Sequence, residues 1–151
     1  MNPAILIAAL LTGGAAHAQT APPAGNVWQT ESGQSCFTDP VTGEARPMEE
    51  AAAYNDYNGR RYYHCRAADS AAFRADPEGW LQGFALPAGI VSRDAGGALT
   101  YRDPVNGLTG TVSPDSFRWA HEGRCWFFSS KKTLKLFRKN PPKYLAPPAG
   151  K

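Results

Sequence analysis

One stretch of this chain occurs twice. Asp39 to Leu81, DPVTGEARPMEEAAAYNDYNGRRYYHCRAADSAAFRADPEGWL, has a second copy at Asp103 to Leu145, 64 positions later and without a gap. Asp39, Pro40, Val41 and Gly43 fall on Asp103, Pro104, Val105 and Gly107, while Gly59 and Arg60 fall on Gly123 and Arg124. Phe73, Arg74, Pro77 and Leu81 meet Phe137, Arg138, Pro141 and Leu145, and upstream Pro23, Gly25, Val27 and Gly33 meet Pro87, Gly89, Val91 and Gly97. A duplication of this kind restricts the fold to two copies of one supersecondary unit. Each copy is too short to bury a stable core alone, so the two are expected to share one.

Ahead of the first copy, Met1 to Ala18 has an apolar stretch from Ala4 to Leu11 and ends Ala16-His17-Ala18. A short apolar run closed by A-x-A reads as a cleaved export signal, although Met1-Asn2-Pro3 supplies no Lys or Arg. The run is too short to span a bilayer. Cleavage is expected after Ala18, giving a periplasmic or secreted chain with no transmembrane segment. The expected division is a leader over 1–18, a Pro and Gly linker over 19–25, repeats over 26–84 and 85–148, and a tail over 149–151.

Charge is unevenly divided. Residues 19–92 hold five Arg against nine Asp and Glu, and residues 93–151 hold eleven Lys and Arg against four, so the halves carry −4 and +7. Opposite signs favour docking of the repeats on each other, and the basic excess suits an acidic protein or an anionic envelope surface. Export argues against nucleic acid as a partner.

Within each repeat the pattern predicts an α+β unit. Val27 to Gln29 and Ser35 to Thr38 read as strands around Ser32-Gly33, repeated by Ile90 to Ser92 and Leu99 to Arg102 around Gly96-Gly97. The Asp-Pro-Val-x-Gly turn reverses the chain. Asn58-Gly59 is a strong hairpin turn and Glu122-Gly123 a weaker counterpart. On the outgoing strand, period-two alternation separates Tyr62 and His64 from Arg61, Tyr63 and Cys65, with aromatics on both faces, as expected for a strand covered on both sides. Helices are predicted over 67–75 and 131–139, with Ser130 capping the latter and Phe73 and Phe137 facing the core. Asp76-Pro77 and Asn140-Pro141 read as N-cap and first helical residue of a short last helix.

With these elements in place, the chain resembles a tandem YHS-domain protein, a family of small modules grouped with the TRASH metal-binding domains. The resemblance rests on the Asp-Pro-Val-x-Gly opening, an aromatic strand after a Gly turn, and the closing Phe-x-x-(Asp/Asn)-Pro-x-x-(Trp/Tyr)-Leu, and covers about 43 residues of each repeat. It implies two tandem treble-clef-like modules and, in metal-binding members, a thiolate cluster for zinc, copper or another heavy metal. At the cluster positions this chain has Thr42, Cys65 and Asp69, then Asn106, Ser129 and Thr133. Only Cys65 keeps a thiol, and hydroxyls are poor soft-metal ligands. The second repeat is therefore expected to hold no metal. The first is left with a reduced candidate set for one zinc or copper ion: Cys65, Asp69, His64 and Cys36.

Three cysteines, Cys36, Cys65 and Cys125, allow at most one internal disulfide. A Cys36–Cys65 bond competes with the metal reading, and closing that loop would stabilise by roughly 3 to 4 kcal/mol in the chain-entropy picture. Neither His64 nor His121 has a Ser or Cys partner with an orienting acid in the pattern, so no nucleophilic dyad is read and no enzyme is expected. Lys131, Lys135, Arg138 and Lys139 share a helix face by their spacing, within a basic run that includes Lys132 and Lys143. That face is a candidate partner-binding surface as well as an ordinary solvated one. Trp28, Trp80, Trp119 and Trp126 read most simply as core. Two functions follow as expectations: heavy-metal handling or sensing in the envelope with a degenerate site, or a metal-free structural or interaction module presenting a basic second repeat.

Overall fold

The computed structural model describes residues 20–145; the expected leader and tail lie outside them. In chain order the elements are β1 (Val27–Gln29), β2 (Ser35–Thr38), β3 (Ala45–Pro47), β4 (Ala53–Tyr57), β5 (Arg60–His64), α1 (Ala67–Ala75), α2 (Pro77–Leu81), β6 (Leu86–Pro87), β7 (Ile90–Arg93), β8 (Leu99–Arg102), β9 (Thr109–Thr111), β10 (Phe117–His121), β11 (Arg124–Phe128), α3 (Lys131–Lys139) and α4 (Pro141–Leu145). β2, β3, β4, β5, α1 and α2 each have a counterpart 64 residues on, in β8, β9, β10, β11, α3 and α4, while the single 3-10 turn Met48–Glu50 has none among the described residues. The fold is α+β.

Each repeat opens with a three-stranded antiparallel sheet, β1-β2-β3 or β7-β8-β9. The Asp-Pro-Val-x-Gly turn joins its second and third strands. Gly43 and Gly107 stand there at φ 72 and 75, in the left-handed region that a side chain resists. Each glycine donates its N–H back to the turn aspartate, Gly43 to Asp39 O at 2.8 Å and Gly107 to Asp103 O at 2.9 Å. The third strands, β3 and β9, are not visible in the sequence pattern, since Ala-Arg-Pro and Thr-Gly-Thr show no apolar alternation.

A hairpin follows, β4-β5 or β10-β11, and a helix lies across it. Phe73 of α1 is fully buried against His64 and Tyr62, with both ring centroids 5.1 Å away. Phe137 of α3 is buried in the same way against Phe128, also at 5.1 Å. The caps form as expected. Ser130 Oγ accepts from Thr133 N at 3.2 Å, and Asp76 and Asn140 accept from Gly79 N and Lys143 N at 3.0 and 3.3 Å.

The Pro and Gly runs prove to be more than linkers. Arg61 N donates to Pro23 O and Gly25 N donates to Arg61 O, while β6 pairs parallel with β11 through Leu86 and Pro87. Each run thus becomes a parallel edge on the outgoing strand of its own repeat's hairpin.

Between the repeats lies one apolar cluster: Trp28 and Cys36 from the first and Ile90, Leu99, Tyr101 and Phe127 from the second. The expectation of a shared core describes this arrangement. Docking by charge contributes less, because a single ion pair joins the repeats among the described residues, Arg102 to Glu31 at 3.2 Å, with both side chains about half exposed. Phe127 points into the shared cluster while Phe128 lies under α3, so β11 is covered on both sides.

Candidate functional site

The first repeat's candidate ligands hang on a buried carboxylate. Asp39 is fully buried; its Oδ2 accepts from Cys65 N at 2.7 Å and its Oδ1 from Val41 N at 2.9 Å. His64 Nδ1 lies 3.4 Å from the same Oδ1. Burial would raise the Asp39 carboxyl, but the hydrogen bonds from His64, Cys65 N and Val41 N outweigh it and hold it below the usual carboxylate range. A carboxylate is acceptor-only, so the Nδ1 proton belongs on the histidine. The other ring nitrogen, Nε2, is buried and has no hydrogen-bond partner among the described residues.

The four candidate residues do not converge. Cys65 Sγ is 4.0 Å from Glu44 O, and burial, with the Asp39 and Glu44 carboxylates beside it, pushes its thiol up to about 12. It is therefore a protonated thiol at neutral pH. Asp69, on α1, is held by Arg66 Nε at 2.9 Å. Cys36 is on the other side of its sheet, in the cluster with Trp28 and Tyr101. His64 is locked between Asp39 and the Phe73 ring. Among the described residues, no group of three His, Cys, Asp or Glu side chains could hold a metal ion. The residues present do not fit the ion that the family resemblance implies.

The disulfide expectation is corrected as well. Cys36, Cys65 and Cys125 are all free thiols. On β2, Phe37 points towards Tyr63 of β5, their ring centroids 6.3 Å apart, and alternation sends its neighbour Cys36 to the opposite face, away from Cys65.

In the second repeat, the positions that would carry thiolates form a hydrogen-bond network. Asn106 Nδ2 donates to Ser129 Oγ at 3.0 Å, and Ser129 donates to Asp103 Oδ2 through both Oγ and N at 2.7 Å. Burial pushes the Asp103 carboxyl up, but the donors from Ser129, Val105 and Thr133 bring it below its usual range. This network is structural: it closes the turn onto the end of β11.

The exposed chemistry lies on the outer face of the second repeat. Lys131, Lys132, Lys135, Arg138 and Lys139 of α3 are all exposed, with Lys143 just beyond on α4. Among the described residues, none of these six forms an ion pair with an acidic side chain. Arg138 instead lays its guanidinium over the Trp119 ring, 4.2 Å from the centroid. Leu136, 38% exposed, sits in a shallow depression walled by the stems of Lys131, Lys132, Lys135 and Lys139.

The tryptophans divide unevenly. Trp28 is core, Trp126 is half-buried, and Trp80 and Trp119 are 38% and 40% exposed, so the reading of all four as core is corrected. The reason for Trp119 is its place on β10, an edge strand whose counterpart at this position is Asn55. Phe117, 43% exposed, likewise stands where the first repeat has Ala53. A comparison of the two copies for apolar residues replacing small or polar ones carries that signal. His121 is half-buried, edge-on to Phe137 at 6.0 Å.

Comparison of the chain with family models, curated proteins and solved structures gave no match.

Proposed function

We propose that this chain is a non-enzymatic, metal-free binding module of the cell envelope that holds an anionic partner on its second repeat. The observation that carries the reading is the comparison of α1 with α3. The two helices have the same length and the same buried phenylalanine, yet Ala67, Ala68, Ala71 and Ala75 become Lys131, Lys132, Lys135 and Lys139. Alanine is the best helix former, so the fold gains nothing from the change. Four added cations without acidic partners raise local repulsion and are explained by something that binds them. The YHS resemblance supplies the scaffold in this reading, and the signal-like first eighteen residues supply the envelope location.

Two measurements test it. Metal analysis of protein purified without tags or chelators is expected to give no stoichiometric zinc or copper, in the wild type or in Cys65→Ser. Stoichiometric metal that disappears in Cys65→Ser would instead restore heavy-metal handling. Calorimetric titration with polyglutamate is expected to show salt-sensitive binding that Lys135→Glu with Arg138→Glu removes. Binding indifferent to that double substitution would reject the basic face as the partner surface.

A further inference from the structure

Building on that reading, we infer that the partner is a bilayer surface bearing anionic phosphate headgroups, met by α3 lying in the interface with the edge of β10 beside it. Three observations separate this occupant from an acidic protein. The first is what else changed with the lysines. Ala53, Asn55 and Ala72 of the first repeat become Phe117, Trp119 and Leu136, each about two-fifths exposed. A carboxylate-rich protein surface needs only the cations, whereas a bilayer interface takes cations at headgroup level and aromatic or aliphatic groups just beneath it.

The second is the kind of cation. Four of the five on α3 are lysines. Lysine is a compact charge on a flexible stem and suits mobile headgroups, while arginine's planar fork, which matches carboxylate and phosphate alike, suits an anion held in a fixed position. The one arginine, Arg138, is occupied in stacking on Trp119 and holds that ring against the helix.

The third is the shape of the lysine cluster. The depression around Leu136 is lined by lysine stems, with almost no polar surface. Such stems lie along apolar surface while their ammonium groups reach outward, which lets Leu136 approach the acyl boundary without burying a charge. Charge complementarity also orients the molecule: the half bearing +7 turns towards the anionic surface and the half bearing −4 turns away.

The test is co-sedimentation with vesicles of phosphatidylcholine containing about 30% phosphatidylglycerol, compared with pure phosphatidylcholine, at two salt concentrations. The chain lacking its first eighteen residues is used, so that the apolar leader does not contribute; the described fold lies wholly within what remains. The key variant restores the first repeat's residues: Lys131→Ala, Lys132→Ala, Lys135→Ala and Lys139→Ala. Its helix propensity exceeds the wild type's, and circular dichroism verifies the fold. The wild type is expected on the anionic vesicles alone, and the fourfold variant is expected to lose about six-hundredfold in partitioning, at about fivefold per lysine. Trp119→Ala is expected to remove the part of the binding that survives high salt. Equal binding to both vesicle types, or binding unchanged in the fourfold variant, overturns the inference. Lysine-dependent binding to polyglutamate without any to vesicles overturns the bilayer and leaves the anionic-partner reading standing. Binding to neither removes both.

Discussion

Asp39 and Asp103 occupy corresponding turns and do the same work with different neighbours. Each is fully buried, accepts two backbone N–H groups, and ties the start of its turn to the residue that follows the hairpin. The sequence pattern marks both as turn formers but does not disclose that a single carboxylate joins segments 26 residues apart. An amide at either position offers one acceptor oxygen where the carboxylate offers two, and turns an NH2 towards a backbone N–H. Asp39→Asn and Asp103→Asn are each expected to cost about 2 to 3 kcal/mol in urea unfolding, while Asp115→Asn, at an exposed position, costs less than about 0.5. Acid should act through the same two groups. Their folded carboxyls lie below the ordinary range, so their contribution is fully present above the unfolded value of about 4 and is lost as pH falls through the folded values. Thermal melts are therefore expected to fall steadily below about pH 4, and the fall should be shallower in Asp103→Asn. A midpoint unchanged between pH 5 and 2 would contradict this assignment.

At the scale of elements, the chain was most legible where a helix has both a buried phenylalanine and a cap or closing proline. α1 and α3 occupy the residues expected for them, and so do the short helices after Asp76 and Asn140. β3 and β9 were not legible because their pairing is imposed by the preceding turn and not by their own side chains. The hairpins show how the copies diverged. Asn58 and Glu122 both stand at left-handed φ, 48 and 49, ahead of glycines at 72 and 71. Asparagine tolerates that region and glutamate does so at a cost of about 1 kcal/mol or more. Glu122→Asn is expected to stabilise the protein by about 1 kcal/mol, and Asn58→Glu to destabilise it by a similar amount. Equal stability in the wild type and both variants would mean that the turns relax out of the conformation described.

The whole molecule depends on surfaces that neither repeat can cover alone. Cys36 was a candidate ligand and disulfide partner by its position in the chain, and period-two alternation along β2 could have placed it opposite Phe37. Which face would be covered by the second repeat was not readable, because that depends on how the copies dock. The cluster that decides it draws on both sheets and on Phe127 of β11, and Glu31 N donates to Ile90 O across the junction at 3.0 Å. The candidate site was legible only in part for the same reason: the lysine spacing gave the basic face, while the exposure of Trp119 and Phe117 follows from β10 being left at a sheet edge. A core held jointly should melt jointly. Phe127 is 6% exposed in that cluster, and Phe127→Ala is expected to cost roughly 3 to 5 kcal/mol. Because the loss falls on both repeats, denaturation followed by the first repeat's Trp28 and by far-ultraviolet dichroism should shift together as one transition. Two separated transitions, with the Trp28 signal left in place while part of the dichroism shifts, would show that each copy stands on its own core and that the cluster around Trp28 and Tyr101 is a contact between independent modules.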